Sequence, residues 1–403
     1  MNYSNIQFDF EITHIGKLFG YESDKSATLD CTFDGENLLF SVLYSFNPDM
    51  LSMTAKASEN DRITVKIFPF RIELYVNDRL CDEEWPCGQH FLENSNLCEN
   101  QCDLSISQAT PSLTKDLPSV LYTFENAEGW RPDENVFAGD CMPYIDDGRY
   151  HVIYLYDRHH HKSKWRKGAH QWAHISTADF KTWQAHPMMV EITEAWEGSI
   201  CTGSHIRKGD IHYLFYTVRT CDGSPAPISR SISKDGYHFE KDLSYRFSLS
   251  EKYMSSDARD PKIIMGEDGL YHMIITTGLA ENGKGCLAHL VSQDLDTWTE
   301  IDEPIYISPD DNQPECPDYF RLGEYYYLIF SHRSIGQYLY SKEPFTGWQK
   351  PDIDRIPCES VPKCAAWGDK IVFSGYKGEG GYAGTLTFRT ATQGKDGLLV
   401  FEN

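Results

Sequence analysis

The sequence is poor in cations for its size and has no long hydrophobic run. Its 403 residues contain 37 Lys and Arg against 60 Asp and Glu, a formal net charge of −23. So acidic a chain repels polyanions, which excludes nucleic acid and anionic membranes as general partners. No apolar stretch approaches the roughly 20 residues of a membrane span, and residues 1–20 lack the basic and apolar segments of a secretion signal. We therefore expect a cytoplasmic protein, or one whose signal has been removed.

Motifs for metals, nucleotides and a serine nucleophile are also absent. Cys81, Cys87, Cys98 and Cys102 cluster in the sequence, but their spacing does not match a zinc site, so we expect thiols there and no metal. No glycine-rich phosphate loop, nucleotide fingerprint or Ser-His-Asp pattern is evident. We therefore predict no cofactor, and nothing in the sequence indicates an oligomeric state.

The informative feature is an internal repeat of aromatic strands. Five short strands, each introduced by a glycine (Gly148, Gly209, Gly269, Gly323 and Gly368), recur at intervals of 45 to 61 residues. The first four are followed by segments that begin with Ser and end in an aromatic residue, at 176–183, 233–239, 292–298 and 341–348. Strands that repeat without intervening helices predict a β-propeller with one sheet per blade, and five copies predict five blades. A jelly roll would not explain the repeat.

Residues 1–118 lack this repeat. Segments 63–67 and 72–76 alternate between apolar and polar residues, and Asn77-Asp78 is a turn signal, which together predict an antiparallel β-sandwich. The segment Ser112–Pro118 is the predicted linker. The predicted fold is therefore all-β, with an N-terminal β-sandwich over 1–118 followed by a five-bladed β-propeller over 119–403.

Three carboxylates occupy equivalent positions in the repeat. Asp140, Asp260 and Glu315 each precede the first tyrosine of the following aromatic strand by 10 or 11 residues. Because the first strands of propeller blades line the central axis, we expect these side chains to converge. One buried carboxylate is readily structural, but three at one register favour glycoside cleavage, which needs a nucleophile or base and an acid of raised pKa. Arg259 would hold its neighbour Asp260 ionised.

The motifs around these residues resemble glycoside hydrolase family 32, the invertases, inulinases, levanases and sucrose-6-phosphate hydrolases. Arg259-Asp260-Pro261 matches the family's Arg-Asp-Pro motif, and Glu315-Cys316 matches its Glu-Cys motif. Gly139-Asp140 falls where the family places its nucleophile, and Thr202-Gly203-Ser204 resembles its Ser-Gly-Ser stretch. Trp172-Ala-His174 is similar to its Trp-Gly-His stretch.

The resemblance implies a function and a role for each carboxylate. Asp140 would be the nucleophile, Asp260 the stabiliser of the transition state and Glu315 the acid/base. The reaction would be the retaining hydrolysis of a β-fructofuranosidic bond, in a sucrose-like or fructooligosaccharide substrate, through a covalent fructosyl-enzyme. The residues predicted to contact the sugar are Arg259, Trp172, Thr202, Ser204, Cys316 and Trp165, although core packing is an equal alternative for the tryptophans. The expected partner is a small carbohydrate.

The sequence departs from the family pattern at two places. Phe137-Ala-Gly-Asp-Cys-Met-Pro143 replaces Trp-Met-Asn-Asp-Pro-Asn-Gly, and Leu155 stands where the family has Gln. Both changes remove amides that would bind sugar hydroxyls. Another furanosidase, such as an α-L-arabinofuranosidase, and a non-catalytic sugar-binding propeller are therefore alternatives. Residues 72–78 also resemble a strand of the family's sandwich, which normally follows the propeller, so the domain order looks permuted.

A basic segment, residues 158–167, stands out in this acidic chain. It follows a strand of the first blade and is predicted to overhang the pocket mouth. It would be either a solvated loop or a clamp for a phosphorylated or carboxylated sugar.

Overall fold

The computed structural model describes residues 5–23, 27–44, 50–86, 95–111, 114–159 and 170–402. This part of the chain is built from β-strands, and its helices are two three-residue 3₁₀ turns, Thr114–Asp116 and Ser255–Asp257. Across these described residues, no helix is long and apolar enough to cross a membrane. The predicted all-β class is confirmed.

The chain divides into two compact units. The first contains the described residues up to 111 together with residues 193–198. The second contains the other described residues from 114 onward.

The strands of the first unit form two five-stranded antiparallel sheets. The strands are β1 (Ile6–Glu11), β2 (Gly16–Ser23), β3 (Ala27–Phe33), β4 (Asn37–Tyr44), β5 (Leu51–Lys56), β6 (Arg62–Phe68), β7 (Arg71–Val76), β8 (Arg79–Glu84), β9 (Ser95–Asn100) and β10 (Ser105–Gln108). One sheet has the order β5-β4-β3-β2-β9, and the other has the order β10-β1-β6-β7-β8.

The two sheets of the first unit share one hydrophobic core. Phe8 on β1 and Phe19 on β2 are fully buried, with ring centroids 5.5 Å apart. Strand β6 alternates between buried and less buried residues, as predicted. Asn77 and Asp78 join β7 to β8 and both have positive φ angles, 49° and 67°, as a tight two-residue hairpin turn requires.

The second unit contains the remaining strands. They are β11 (Tyr122–Glu125), β12 (Val136–Asp146), β13 (Arg149–Arg158), β14 (Gln171–Thr177), β15 (Thr182–Val190), β16 (Glu197–Lys208), β17 (Ile211–Thr220), β18 (Ile228–Ser233), β19 (Glu240–Phe247), β20 (Arg259–Met265), β21 (Tyr271–Gly278), β22 (Gly285–Ser292), β23 (Thr299–Glu300), β24 (Tyr306–Ile307), β25 (Glu315–Leu322), β26 (Tyr325–His332), β27 (Ile335–Ser341), β28 (Ser360–Trp367), β29 (Lys370–Gly378), β30 (Gly384–Gln393) and β31 (Leu399–Phe401). The first two residues of β16 belong to the first unit.

Strands that pair within the sheets of the second unit run antiparallel. Three sheets have the orders β16-β17-β18-β19, β20-β21-β22-β23 and β25-β26-β27, with β24 also paired to β22. The other strands follow the order β11-β15-β14-β13-β12-β30-β29-β28, with β31 on β30. In that larger sheet a single residue pair, Ala138 with Gly384, joins β12 to β30.

The first three of the repeated Ser-containing segments form turns between the third and fourth strands of their sheets. The Ser292 hydroxyl accepts hydrogen bonds from two backbone N–H groups at 2.9 and 3.2 Å, and Asp294 Oδ1 accepts two more at 2.8 and 2.9 Å. Ser233 and Asp235 make the same arrangement, and Thr177 supplies the hydroxyl in the first copy. These side chains satisfy the backbone donors of the turn, which explains why the pattern recurs.

Candidate active site

The three predicted catalytic carboxylates lie on the first strands of three sheets. Asp140 is on β12, Asp260 is on β20 and Glu315 is on β25. In each strand the pairing register with the next strand shifts at or beside the carboxylate, which marks a β-bulge. A bulge bends its strand and redirects the side chains within it. The same local device therefore directs all three carboxylates.

Two of the bulges hold a residue in the left-handed region of φ. Asp260 has φ 58° and Cys316 has φ 51°, and each is followed by a proline. Such a backbone costs about 1–3 kcal/mol for a residue other than glycine and persists where the surroundings fix it. Proline lacks an N–H, so it fits a bulge where the ladder hydrogen bond is missing.

The carboxylates line one cavity of about 240 Å³. This is smaller than the roughly 300–1,000 Å³ of drug-sized ligand pockets and suits a single sugar unit. Besides the carboxylates, the lining contains Leu155, Cys201, Thr202, Arg219, Arg259, Cys316, Ser334, Val361, Tyr376 and Tyr382.

One carboxylate oxygen of Asp140 has no hydrogen-bond donor among the described residues. Among the described residues nothing pairs with the buried Oδ1, whereas Oδ2 lies 3.6 Å from the Sγ of Cys316. The Tyr382 hydroxyl accepts a hydrogen bond from the Asp140 backbone N–H at 3.4 Å. Burial, followed by the negative charges of Asp260 and Glu315, raises the pKa of Asp140 to about 7. Oδ1 therefore keeps unused hydrogen-bonding capacity within the described part of the chain.

Asp260 is held through both of its carboxylate oxygens. The Thr202 hydroxyl donates to Oδ1, and the backbone N–H of Cys316 donates to Oδ2 at 3.1 Å. The Nε of Arg259 lies 3.6 Å from Oδ2. The residue is 4% exposed. A carboxylate offers about four lone-pair positions, so Asp260 is fixed in place and can still accept hydrogen bonds from sugar hydroxyls.

Arg259 connects Asp260 to Glu315. Its Nη2 lies 3.0 Å from Glu315 Oε1, and its Nη1 donates to the backbone oxygen of Asp257 at 3.0 Å and to the side chain of Gln313. This planar fork sets the direction of the Glu315 carboxyl. The Glu315 side chain is 37% exposed, so it also reaches solvent.

Cys316 lies between two of the carboxylates. Its Sγ is 3.6 Å from Asp140 Oδ2, 3.7 Å from Asp260 Oδ2 and 3.5 Å from the Thr202 hydroxyl. Burial, reinforced by the charges of Asp260 and Asp140, raises the pKa of the thiol well above its usual value. The sulfur therefore keeps its proton and can donate to one carboxylate at a time.

Thr202 and Ser204, both predicted to contact sugar, have different environments. Thr202 lines the cavity. The Ser204 hydroxyl donates to the backbone oxygen of Pro261 at 2.9 Å and accepts from the N–H of Ile263 at 2.9 Å. Ser204 therefore joins β16 to β20 and is not available to a sugar, which corrects its predicted role.

The predicted stacking role of Trp172 is also corrected. Trp172 is fully buried, its indole N–H donates to the backbone oxygen of Cys201 at 2.9 Å, and it meets Tyr216 edge to face. With no exposed ring face it is a packing residue. Trp165 lies outside the described residues, as does most of the basic segment, because residues 160–169 are not described.

Several lining residues escaped the sequence analysis. They are Cys201, Arg219, Ser334, Val361, Tyr376 and Tyr382. Tyr382 follows a glycine-rich segment, 378–381, which signals a turn but not the direction of the next side chain. Arg219 lies near the end of β17, a position that no motif marked.

The two departures from the family pattern lie side by side. A Cβ added at Gly139 would lie 2.7 Å from the Tyr382 hydroxyl oxygen and 3.1 Å from the Cβ of Leu155. A larger residue at position 139 would collide with that hydroxyl. The wall beside Asp140 is thus made by a phenol and an apolar side chain instead of amides.

This arrangement is suited to substitution at an acetal carbon. An unpaired carboxylate oxygen, a carboxyl group oriented by arginine and a third carboxylate for hydroxyls are the groups that such a reaction needs. Within the described ranges, no group of three or more His, Cys, Asp or Glu residues is arranged to hold a metal ion.

Comparison with known proteins gives a consistent result. A family model, the glycosyl hydrolases family 32 N-terminal domain, matches residues 124–356. The raffinose invertase of Escherichia coli is 28% identical over 218 residues, which are 51% of this chain and 42% of the invertase. A fructan 1-exohydrolase of Aegilops speltoides is 28% identical over 220 residues, 51% of this chain and 35% of that protein. The matched region thus spans less than half the length of these relatives.

Solved structures share the fold. A variant of fructan 1-exohydrolase IIa from Cichorium intybus, in complex with 1-kestose, superimposes with a TM-score of 0.58 at 16% identity, over 69% of this chain and 60% of that one. The family model covers more than half of the sequence. The resemblance predicted from the motifs is therefore confirmed, and the chain belongs to glycoside hydrolase family 32.

Proposed function

We propose that this protein is a retaining glycoside hydrolase that cleaves a β-fructofuranosidic bond in sucrose-like or fructooligosaccharide substrates. The observation that carries the proposal is the buried, unpaired Oδ1 of Asp140 in a cavity that also contains Asp260 and Glu315. Family membership and the names of the relatives, an invertase and a fructan exohydrolase, support a fructosyl donor.

In the first step Asp140 attacks the substrate. Its Oδ1 forms a bond to the anomeric carbon of the fructosyl unit while Glu315 gives its proton to the departing glycosidic oxygen. The leaving sugar takes that proton, and a fructosyl ester of Asp140 forms. Asp260 accepts hydrogen bonds from the sugar hydroxyls, which strengthen as positive charge develops at the anomeric carbon.

In the second step water releases the sugar. Glu315, now ionised, removes a proton from water as the water oxygen bonds to the anomeric carbon, and the ester bond to Asp140 breaks. Arg259 keeps Glu315 oriented for both proton transfers. An acceptor sugar in place of water would give transfer by the same route.

We infer that the sheets of the second unit are five propeller blades that begin with β12, β16, β20, β25 and β28. Hydrogen bonds between neighbouring first strands support this arrangement: Gly203 N–H to the Met142 sulfur at 3.2 Å, Cys316 N–H to Asp260, and Cys364 N–H to Asp318. The same inference takes residues 119–403 as the catalytic domain and the two N-terminal sheets as a sandwich over 1–118.

A substrate panel tests the proposed function. It contains sucrose, sucrose 6-phosphate, inulin- and levan-type oligosaccharides and aryl arabinofuranosides. Wild type is compared with Asp140→Asn, Glu315→Gln and the control Asp369→Asn, which alters an exposed turn carboxylate. We expect fructose release by wild type and the control, and a loss of at least about 10³-fold in both site variants.

Other outcomes would redirect the assignment. Cleavage of arabinosides alone would make the protein a different furanosidase. Sugar binding without cleavage of any substrate would make it a carbohydrate-binding propeller. Release of fructose that survives both site substitutions would place the reaction outside this cavity.

A further inference from the structure

Three charged side chains share one position in three of the first strands. Each follows the proline after a left-handed residue, in Asp260-Pro261-Lys262, Cys316-Pro317-Asp318 and Val361-Pro362-Lys363. Asp318 and Lys363 are each 1% exposed, and the Lys262 side chain is 16% exposed. Buried charges are costly, so their repetition at one register calls for a function. We call Lys262, Asp318 and Lys363 the buried ion cluster.

Asp318 is fully paired within this cluster. The Nζ of Lys262 lies 2.6 Å from its Oδ1, which also accepts the backbone N–H of Tyr319 at 2.8 Å. Its Oδ2 accepts the N–H of Cys364 at 2.8 Å. One carboxylate thus ties β25 to both β20 and β28.

Lys363 faces the catalytic strands. Its Nζ donates to the backbone oxygen of Gly203 at 3.0 Å. Gly203 follows Thr202, whose hydroxyl holds Asp260. A Cβ at position 203 would lie 1.8 Å from the backbone oxygen of Phe215, so only glycine allows β16 this position.

Several neighbouring groups change the pKa of the Lys363 ammonium. Burial lowers the pKa of Lys363, the negative charge of Asp318 raises it, and the positive charge of Lys262 lowers it further. Asp260, from one of the three strands that carry the catalytic carboxylates, also favours the charged form. The ammonium therefore interacts electrostatically with the residues that line the cavity.

The positive charge of the cluster partly offsets the negative charges of the site. With both lysines protonated and Asp318 ionised, the cluster carries one net positive charge. The cavity holds three carboxylates, whose mutual repulsion raises the pKa of Asp140, with Arg259 as the cation that contacts two of them. A buried positive charge nearby lowers the free energy of carboxylate anions, because the protein interior screens charge weakly.

We propose that Lys363, with Lys262 and Asp318, forms a fixed counter-charge that supports the anionic form of Asp140. Lys363 is thus a positioning residue that acts on the reaction through that carboxylate. The effect on catalysis rests on the proposed function. The effect on the ionisation of Asp140 can be tested without any substrate.

Variants that change the cluster's net charge in opposite directions test the proposal. Lys363→Met and Lys262→Met each leave a net charge of zero, Asp318→Asn leaves two positive charges, and Lys363→Met with Asp318→Asn restores one. Phe373→Leu, in the buried core of β29, is the control for lost packing without a change of charge.

The first readout is the pH profile of kcat/KM. We expect its acidic limb to move up by about one pH unit in either lysine variant, down in Asp318→Asn, and back towards wild type in the double variant. A purely structural role would lower activity in every variant and leave the limb in place, as we expect for Phe373→Leu. Shifts of one sign in all variants, or no shift, would overturn the proposal.

The second readout needs no activity. Each variant is unfolded by heat across the pH range with and without Asp140→Asn, and the difference reports the titration of Asp140 alone. Its midpoint should move as the kinetic limb does. If no sugar were cleaved but these midpoints moved as stated, the proposed function would fail and the electrostatic inference would stand. If the midpoints of the Asp140 titration did not move, the inference would be wrong whether or not the protein cleaves sugar.

Discussion

The Sγ of Cys316 lies 3.6 Å from Oδ2 of Asp140, the residue assigned as nucleophile. The thiol is buried and keeps its proton, so it is a weak donor to the carboxylate. Its contact lowers the pKa of Asp140, whereas burial and the neighbouring carboxylates raise it. After burial and the neighbouring carboxylates, which raise the pKa of Asp140, this thiol is therefore one of the donors that lower it and so adjust the pH at which Asp140 ionises.

Substitution of Cys316 should move the acidic limb of activity in a predictable direction. Cys316→Ser supplies a stronger donor and should move the limb of kcat/KM down by about half a pH unit, and Cys316→Ala should move it up by a similar amount. Cys286→Ala, in a buried apolar cluster, is the control and should leave the limb in place. The same shift in both Cys316 variants would contradict the account.

Tyr382→Phe should lower kcat/KM and move the acidic limb of its pH profile to higher pH. The change removes the hydroxyl that contacts the Asp140 backbone and that helps to lower the pKa of Asp140. We expect a loss of about tenfold in kcat/KM, the effect of one hydrogen bond, together with an upward shift of the acidic limb. Tyr325→Phe, outside the cavity lining, is the matched control. An unchanged profile would show that Tyr382 does not act on Asp140.

Asp140→Asn should stabilise the protein at alkaline pH. The folded pKa of Asp140, about 7, lies above its value of about 4 in an unfolded chain. Stability from this group is therefore present at low pH and is lost as pH rises from about 4 to 7. The gain on substitution should be small near pH 4, should grow by about 1.4 kcal/mol per pH unit at most, and should level off above pH 7. Unfolding midpoints across pH would reveal this, and a constant difference would refute it.

A cluster of buried histidines should make stability depend on pH in the opposite direction to Asp140. The Nε2 of His151 lies 3.3 Å from the backbone oxygen of Asp146 and so donates to it. Its Nδ1, 2.9 Å from the Nε2 of His174, must therefore accept from that ring. The rings of His186 and His174 are in contact, tilted by 33° with centroids 4.4 Å apart. Burial lowers the pKa of His151 to about 3, that of His186 to about 4 and that of His174 well below its usual value.

The three rings should make the protein sensitive to acid. They are neutral when folded and take up protons when unfolded, so their stabilisation is complete above about pH 6.5 and is lost as pH falls below it. With three sites the slope approaches ~4 kcal/mol per pH unit. Urea unfolding between pH 4 and 7 would measure it. His238→Gln is the control, since Asp235 raises the pKa of that accessible ring. If the free energy of unfolding changed with pH no more steeply than one titrating group allows, about 1.4 kcal/mol per pH unit, the assignment to three histidines would be contradicted.

The sequence was sufficient to predict the strands and the carboxylates, because both depend on local patterns. Glycine and aromatic spacing located the second strands, and Asp140, Asp260 and Glu315 followed from a register of about ten residues. Side-chain direction depends on more than spacing. The hydroxyl of Ser204 bonds to the backbone of β20 and the ring of Trp172 is fully buried, and neither arrangement follows from the alternation of residues along a strand.

Contacts made by distant segments could not be predicted either. Tyr382 reaches Asp140 across 242 positions of the chain, and the ion pair between Lys262 and Asp318 joins two sheets. Each follows from how the sheets pack, which is set by the whole fold. The prolines after Asp260, Cys316 and Val361 are visible in the sequence. The left-handed φ angle that these three residues share could be seen only in the structure.

The most direct test of the account is to trap the sugar on Asp140. Glu315→Ala is incubated with a fructoside that carries a good leaving group, so that the ester forms without the acid and hydrolyses slowly without the base. After acid quench and proteolysis, mass spectrometry should find one fructosyl group on the peptide that contains Asp140, and none in Glu315→Ala with Asp140→Asn. Leaving-group release with no adduct, or with an adduct on another residue, would contradict the assignment of Asp140 as the nucleophile.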